Sequence, residues 1–262
     1  MKRVSFCKAY QKMLAYGHNM LKRWMANNVI ITGASDGIGL ELAALYAAET
    51  DSLVGVGRRP QDQLSNWPNN ASYFQGDQAN PDFADQLLSH IKGLGWDHID
   101  NLIVNAAVGE TGDPVDETAE NIQLTLDTNL IGPIILAQKF HPLLAASPNR
   151  SCLTLIGSVA HKGAANFASY AASKAGLAGF ARALHEEWKH EIDVQILHPG
   201  ATATNMHEKA GLQLGKARKY FINPQYSARK IKSEISTGKP VATIGHKALA
   251  LDRVKNLFGA GV

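Results

Sequence analysis

Tyr170 and Lys174 stand four residues apart, and Ser158 stands twelve residues before the tyrosine. Side chains at i and i+4 share one face of a helix. An ammonium beside a phenol favours the phenolate, which brings a group of pKa near ~10 into use as an acid or base closer to neutrality. A phenol so placed can give a proton to a carbonyl oxygen or take one from an alcohol. A serine hydroxyl across from it can hydrogen-bond the same oxygen. The spacing occurs twice, because Tyr226 and Lys230 repeat it. That second pair lies behind Pro224, and no serine stands twelve residues before it. Tyr170 is therefore read as the reactive tyrosine.

The elements that must position these groups show as short apolar runs alternating with helical periods. Strands are predicted at 28–32, 52–57, 71–75, 101–105, 152–156, 193–197 and 240–244. Helices are predicted at 37–49, 81–92, 115–127, 130–145, 168–190 and 225–236. Leu102-Ile103-Val104 and Leu153-Thr154-Leu155-Ile156 have the apolar character of strands covered on both faces. This order predicts an α/β fold, a Rossmann-type doubly wound parallel sheet of about seven strands. Ser158 then follows the fifth strand, and Tyr170 lies at the side where parallel sheets present a ligand crevice.

Thr32-Gly33-Ala34-Ser35-Asp36-Gly37-Ile38-Gly39 joins the first predicted strand to the first predicted helix. Gly33 permits a tight turn, Gly37 lets backbone approach a pyrophosphate, and Gly39 allows close helix packing. The helix N-terminus would face phosphate with its unpaired N–H groups. The second strand ends Val54-Gly55-Val56-Gly57 and runs into Arg58 and Arg59. An acid at that place would hold a ribose 2′-hydroxyl, whereas a guanidinium suits a 2′-phosphate. The expected cofactor is NADP(H).

Taken in order, Thr32 to Gly39, Asn105-Ala106-Ala107, Asn129, Ser158, Tyr170 to Lys174, and His198-Pro199-Gly200 with Thr204 resemble the short-chain dehydrogenase/reductase family over about residues 27–205. The resemblance implies an NADPH-dependent reductase of a ketone or aldehyde, reversibly an alcohol dehydrogenase. It assigns proton transfer to Tyr170, orientation of the substrate oxygen to Ser158, and hold on the nicotinamide ribose to Lys174. Asn129 would hold a water linking Lys174 to solvent. Asp77 would contact the adenine region, and Asn105, Ala106 and Ala107 would line the cofactor. Ser35, Asp36 and Ile38 belong to its phosphate turn. Pro199 and Gly200 would pass beside the nicotinamide, with Thr204 near its carboxamide. The chain departs from the family at Val108, where glycine is frequent, and at 239–245, where no Asp-Gly-Gly closes the last strand. Helices 115–145 and 168–190 resemble those that pair between subunits, which implies a homodimer or homotetramer.

Apolar residues make up 45% and charged residues 19% of 262, the balance of an ordinary globular protein. The net charge of +3 is uneven: +6 over residues 1–35, −12 over 36–208 and +9 over 209–262. The basic ends read first as solvated faces and otherwise as contacts for a cofactor phosphate, an anionic substrate or an anionic surface, and no nucleic-acid motif accompanies them. Cys7 and Cys152 are far apart, so neither a disulfide framework nor a zinc site is expected, and a reducing, cytoplasmic setting is favoured. His161, His185, His190, His198 and His207 show no metal-ligand pairing. His198 is expected to precede the Pro-Gly turn and His161 to lie at the surface. Asp113, Asp116 and Glu117 are expected to start or cap a helix.

Residues 25–262 read as one dinucleotide-binding and catalytic domain, with Met25 a plausible functional start. Residues 1–24 read as a basic, partly amphipathic extension: a weak targeting peptide, a surface anchor or a stretch without function. A substrate lid is expected at about 202–224, where Met206, Leu212, Leu214 and Phe221 suit a hydrophobic substrate. Two other readings of the same residues are a non-catalytic NADP-binding protein and a nucleotide-sugar epimerase. The pairing of Ser158 with Tyr170 argues against the first, and the short chain against the second.

Overall fold

Backbone twist and short crossovers allow seven short apolar runs to stack as one parallel sheet only if helices cover both faces. The computed structural model, which describes residues 28–50, 52–204 and 221–245, has that form. Its strands are β1 (Val29–Thr32), β2 (Leu53–Gly57), β3 (Ser72–Gln75), β4 (Asn101–Val104), β5 (Cys152–Ile156), β6 (Asp193–Pro199) and β7 (Val241–Ile244). Their order is β3-β2-β1-β4-β5-β6-β7, and every neighbouring pair is parallel. The order reverses between β1 and β4, the place where open α/β sheets form their ligand crevice.

The helices are α1 (Gly37–Ala47), α2 (Phe83–Gly93), α3 (Ala119–Leu126), α4 (Gly132–Ala145), α5 (Ala168–Trp188) and α6 (Pro224–Ile235). Alternate residues of each strand feed opposite cores. Ile30, Leu102, Leu153 and Val194 pack with Phe83, Phe140 and Leu177 on one face. Val29, Ile31, Ile103 and Leu197 pack with Leu42, Ala228 and Ile231 on the other. Phe83 and Phe140 are almost wholly buried, and each contributes on the order of 2–3 kcal/mol by leaving water.

The element ends follow their capping chemistry. The Asp36 carboxylate accepts from Gly37 N at 2.7 Å and starts α1. Asn223 accepts from Gln225 N at 2.7 Å, with Pro224 in the first turn of α6. The helix predicted at 115–127 begins later, at Ala119, because Thr118 caps it through Asn121 N at 3.2 Å. Asp113 instead closes a local turn by accepting from Val115 N, so the predicted acidic cap is corrected to Thr118. A single wide turn over Asp127–Ile131 joins α3 to α4 without a break.

Cys152 is buried in the sheet, its Sγ 3.3 Å from Gln195 Oε1. Thr202 bridges to Ile222, which draws the two ends of the predicted lid together. The rest of that lid, residues 205–220, and the extension 1–24 lie outside the described residues. Among the described residues no helix is long and apolar enough to cross a membrane.

Candidate active site

The crevice floor is built where β1 and β4 separate. Thr32 Oγ1 accepts from both Asn105 N and Ala106 N, each at 3.1 Å. Asn105 Nδ2 returns a hydrogen bond to Thr32 O at 3.0 Å. These bonds pin the loop after β4 beside the glycine turn. Gly33 takes φ +66° there, and a Cβ would stand 2.7 Å from Ala106 Cα. Gly37 takes φ +53°, and a Cβ would stand 2.9 Å from Thr204 Cγ2. At Gly39 a Cβ would lie 2.1 Å from Gly33 O, so only glycine lets α1 sit on the turn. The Asp36 carboxylate already takes Gly37 N–H, one of the donors at the start of α1.

At the other end of the crevice, Ser158 caps a short turn after β5, its Oγ accepting from Ala160 N at 3.1 Å. The same side chain favours the ionised form of Tyr170, which lies in the first turn of α5 and is 8% exposed. Gly109 makes room for the ring, because a Cβ there would come 2.7 Å from Tyr170 Cδ2. Lys174 is 2% exposed, and its Nζ donates to Ile156 O at 2.9 Å, 5.9 Å from the Tyr170 ring centroid.

The electrostatics differ from the sequence expectation. Burial raises the Tyr170 pKa above its ordinary value, with the hydrogen bond to Ser158 opposing. Burial also pushes Lys174 down to about 8. The sequence spacing predicts that the ammonium lowers the phenol, whereas burial sets the direction of its shift, and Lys174 Nζ donates to the Ile156 carbonyl. A phenol so held is protonated at neutral pH, the form that donates a proton.

Asn129 lies in the wide turn with no exposed surface. Its Oδ1 accepts from Val108 N at 2.9 Å, and its Nδ2 donates to Val108 O at 2.7 Å and to Ser173 Oγ at 3.1 Å. Ser173 Oγ in turn donates to Tyr170 O at 2.7 Å. The Asn129 side chain thus ties the loop after β4 to the helix that carries Tyr170, and its polar atoms are engaged in that tie.

A cavity of about 830 Å³ joins the two ends. Gly33, Ser35, Asp36, Gly37 and Ile38 line it at the turn, and Arg58, Arg59 and Asp77 at the end of β2 and β3. Asn105, Ala106 and Ala107 form its floor, and Ser158, Tyr170, Lys174, Pro199, Gly200 and Thr204 its far wall. Gly39 and Asn129 stand behind the lining and support it. Arg59 hydrogen-bonds Ser35 O and lies 3.9 Å from the Asp36 carboxylate, whereas Arg58 is exposed. The Asp77 carboxylate accepts from Ala79 N at 3.1 Å. Beyond Ser158 the wall turns apolar, with Leu124, Val159, Ala164, Phe167 and Phe221.

Tyr226 and Lys230 also stack at 5.9 Å, but Tyr226 is 36% exposed and neither lines the cavity. Two residues that sequence reasoning set aside do meet the site from behind. The rings of His161 and His198 stack with centroids 4.0 Å apart, and both Nδ1 atoms reach Ser158 O. Thirty-seven residues separate them, and no spacing rule joins a turn to a strand end at that distance.

The model of the short chain dehydrogenase family matches residues 27–214. The uncharacterized oxidoreductase YciK of Escherichia coli is 29% identical over 194 residues, covering 70% of this chain and 76% of that one. Dehydrogenase/reductase SDR family member 7B of Xenopus tropicalis is 29% identical over 195 residues, covering 68% and 62%. A solved short-chain dehydrogenase from Sphingobium yanoikuyae in complex with NADPH superposes with a TM-score of 0.73 at 24% identity, covering 89% and 93%.

Proposed function

The chain belongs to the short-chain dehydrogenase/reductase family as an NAD(P)-dependent oxidoreductase, and on that premise we propose that it reduces a hydrophobic ketone or aldehyde with NADPH. The observation that carries this reading is that Tyr170 and Ser158 line one wall of the same cavity that the glycine turn opens onto. The residues present fit that group. Gly33 and Gly37 occupy left-handed backbone where a Cβ would strike a neighbour, and the cavity runs unbroken from Arg58 to Tyr170. The bound nicotinamide dinucleotide supplies the hydride.

The chain's own residues do the rest. Ser158 Oγ holds the substrate oxygen and orients it toward the Tyr170 hydroxyl. Tyr170, protonated at neutral pH, gives its proton to that oxygen as negative charge develops. In the oxidative direction the phenol must first lose its proton, so that direction gains as pH rises. Lys174 restores charge balance from beneath and carries the proton supply, with the Asn129 tie keeping the helix in place. The apolar wall of Leu124, Val159, Ala164, Phe167 and Phe221 excludes water and suits a hydrophobic substrate. Arg58 is assigned to the 2′-phosphate, because it lines the cavity and is exposed, while Arg59 is bonded to Ser35 and faces Asp36. A homodimer or homotetramer is part of this reading, supported by exposed Ile122 and Ile131 along α3 and the turn after it.

The test is NADPH consumption with a panel of aldehydes and ketones, repeated with Tyr170→Phe. Loss of turnover by about a hundredfold or more, with NADPH still bound, is the expected result. Undiminished turnover in the variant removes Tyr170 from the reaction, and binding of NADPH without turnover of any carbonyl favours the non-catalytic reading.

A further inference from the structure

We infer that His161 and His198 form a stacked pair that positions Ser158 through its main-chain carbonyl. The inference rests on the reading above, in which Ser158 holds the reacting oxygen. Three donors converge on Ser158 O: His161 Nδ1 at 2.7 Å, His198 Nδ1 at 3.1 Å and His161 N at 3.1 Å. A carbonyl oxygen offers two lone pairs and cannot donate, so both imidazoles present a protonated Nδ1 to it. The rings lie 24° from parallel with centroids 4.0 Å apart, so each ring limits the rotation of the other. Neither histidine lines the cavity, which places the pair behind the serine rather than against substrate.

The geometry shows how fixing one oxygen aims another. Ser158 is extended, with φ −162° and ψ 152°, at the start of the turn Val159–Lys162. Holding its carbonyl fixes ψ and with it the direction of the Cα–Cβ bond. The Oγ is held from the front by Ala160 N, and the carbonyl from behind by the rings. Gly157 makes the second ring possible, because a Cβ there would stand 2.5 Å from His198 Nδ1. Burial keeps His198 neutral by pushing it down to about 4, aided by the nearby His161, Lys174 and Arg182, while its bond to Ser158 opposes. A neutral ring can stack against its partner without charge repulsion.

The pair can be taken apart at His161, the more exposed member. His161→Phe keeps a stacking ring and deletes the donor, whereas His161→Asn keeps a donor at the δ position and deletes the ring. The full chain is assayed for NADPH-dependent reduction of the best carbonyl in the panel, for NADPH binding by fluorescence titration, and for folding by circular dichroism. The expected result is a fall in kcat of about tenfold for His161→Phe, the size of one lost hydrogen bond, with NADPH affinity within about twofold. His161→Asn recovers most of kcat. In a Ser158→Ala background the phenylalanine change costs less than about twofold, since the two act as one unit.

Three outcomes overturn the inference. The first is a full loss from His161→Phe in the Ser158→Ala background. The second is an equal loss in the asparagine and phenylalanine variants. The third is an unchanged kcat in His161→Phe. Failure of the underlying reading shows separately, as Ser158→Ala or Tyr170→Phe turning over at the parent rate. Should His161→Phe misfold, His198→Asn, which keeps the donor, is expected to retain kcat within about threefold, and a loss like that of Ser158→Ala overturns the pair.

Discussion

Replacing Lys174 by methionine should make the protein more stable while abolishing its chemistry. The lysine is 2% exposed, and burial lowers its pKa from 10.5 to about 8. At 1.36 kcal/mol per pKa unit, holding it charged in the folded protein costs about 3 kcal/mol at neutral pH. The sign follows from the unfolded chain, where lysine stays protonated up to its ordinary value. The cost is therefore fully present below about 8 and is relieved as pH rises from there toward 10.5.

Methionine is apolar and of similar length, so it removes the buried charge. It also leaves Ile156 O without the 2.9 Å bond from Nζ, at a cost of about 1–2 kcal/mol. The net gain is about 1–2 kcal/mol, or roughly 2–8 °C in Tm for a chain of this size. Urea unfolding of parent and variant, without cofactor, measures it. The difference should shrink by about 2 kcal/mol between pH 7 and pH 10, as the parent lysine loses its proton. A variant less stable than the parent, or a difference that ignores pH, would refute the electrostatic account of this lysine.

Two further outcomes follow from the same physics. Arg58→Ala should weaken NADPH binding by about tenfold to a hundredfold and leave NADH nearly unchanged, as paired fluorescence titrations would show; equal losses would contradict its assignment to the 2′-phosphate. His198, neutral in the fold down to about pH 4, binds its proton earlier in the unfolded chain. Stability should thus fall as pH drops from about 6.5 toward 4, by about 2 kcal/mol after allowance for solvent in the adjoining cavity. His198→Gln should flatten that part of the acid-unfolding curve, and an unaltered curve would count against a buried neutral ring.

Much of the architecture is legible because the sheet is covered on both faces. Leu102-Ile103-Val104 and Cys152 to Ile156 are buried at every position, so their composition alone marks them as strands. The enclosed tyrosine is legible for a different reason. Tyr170–Lys174 and Tyr226–Lys230 reach the same 5.9 Å cation-to-ring distance, so spacing cannot separate them. Ser158 and the strand before it do, because they decide which pair is enclosed.

What escapes the sequence are contacts between residues far apart along the chain. The turn at Asp127–Ile131 has no local signature, and it is held by Asn129 bonding to Val108 and Ser173, 21 and 44 residues away. The direction of Lys174 toward Ile156 O depends on where β5 ends relative to α5, and the raised Tyr170 on how deeply the fold buries its ring.

The hydroxyl of Thr32, which receives two amides across the gap between β1 and β4, has a consequence for how this scaffold can change. It stitches the crevice floor independently of whatever lies above it. Shape selection is left to the rim, where Val159, Ala164, Phe167 and Phe221 differ in bulk and none takes part in the stitching. New preferences can therefore be acquired by exchanging rim side chains one at a time, while the reacting atoms keep their places.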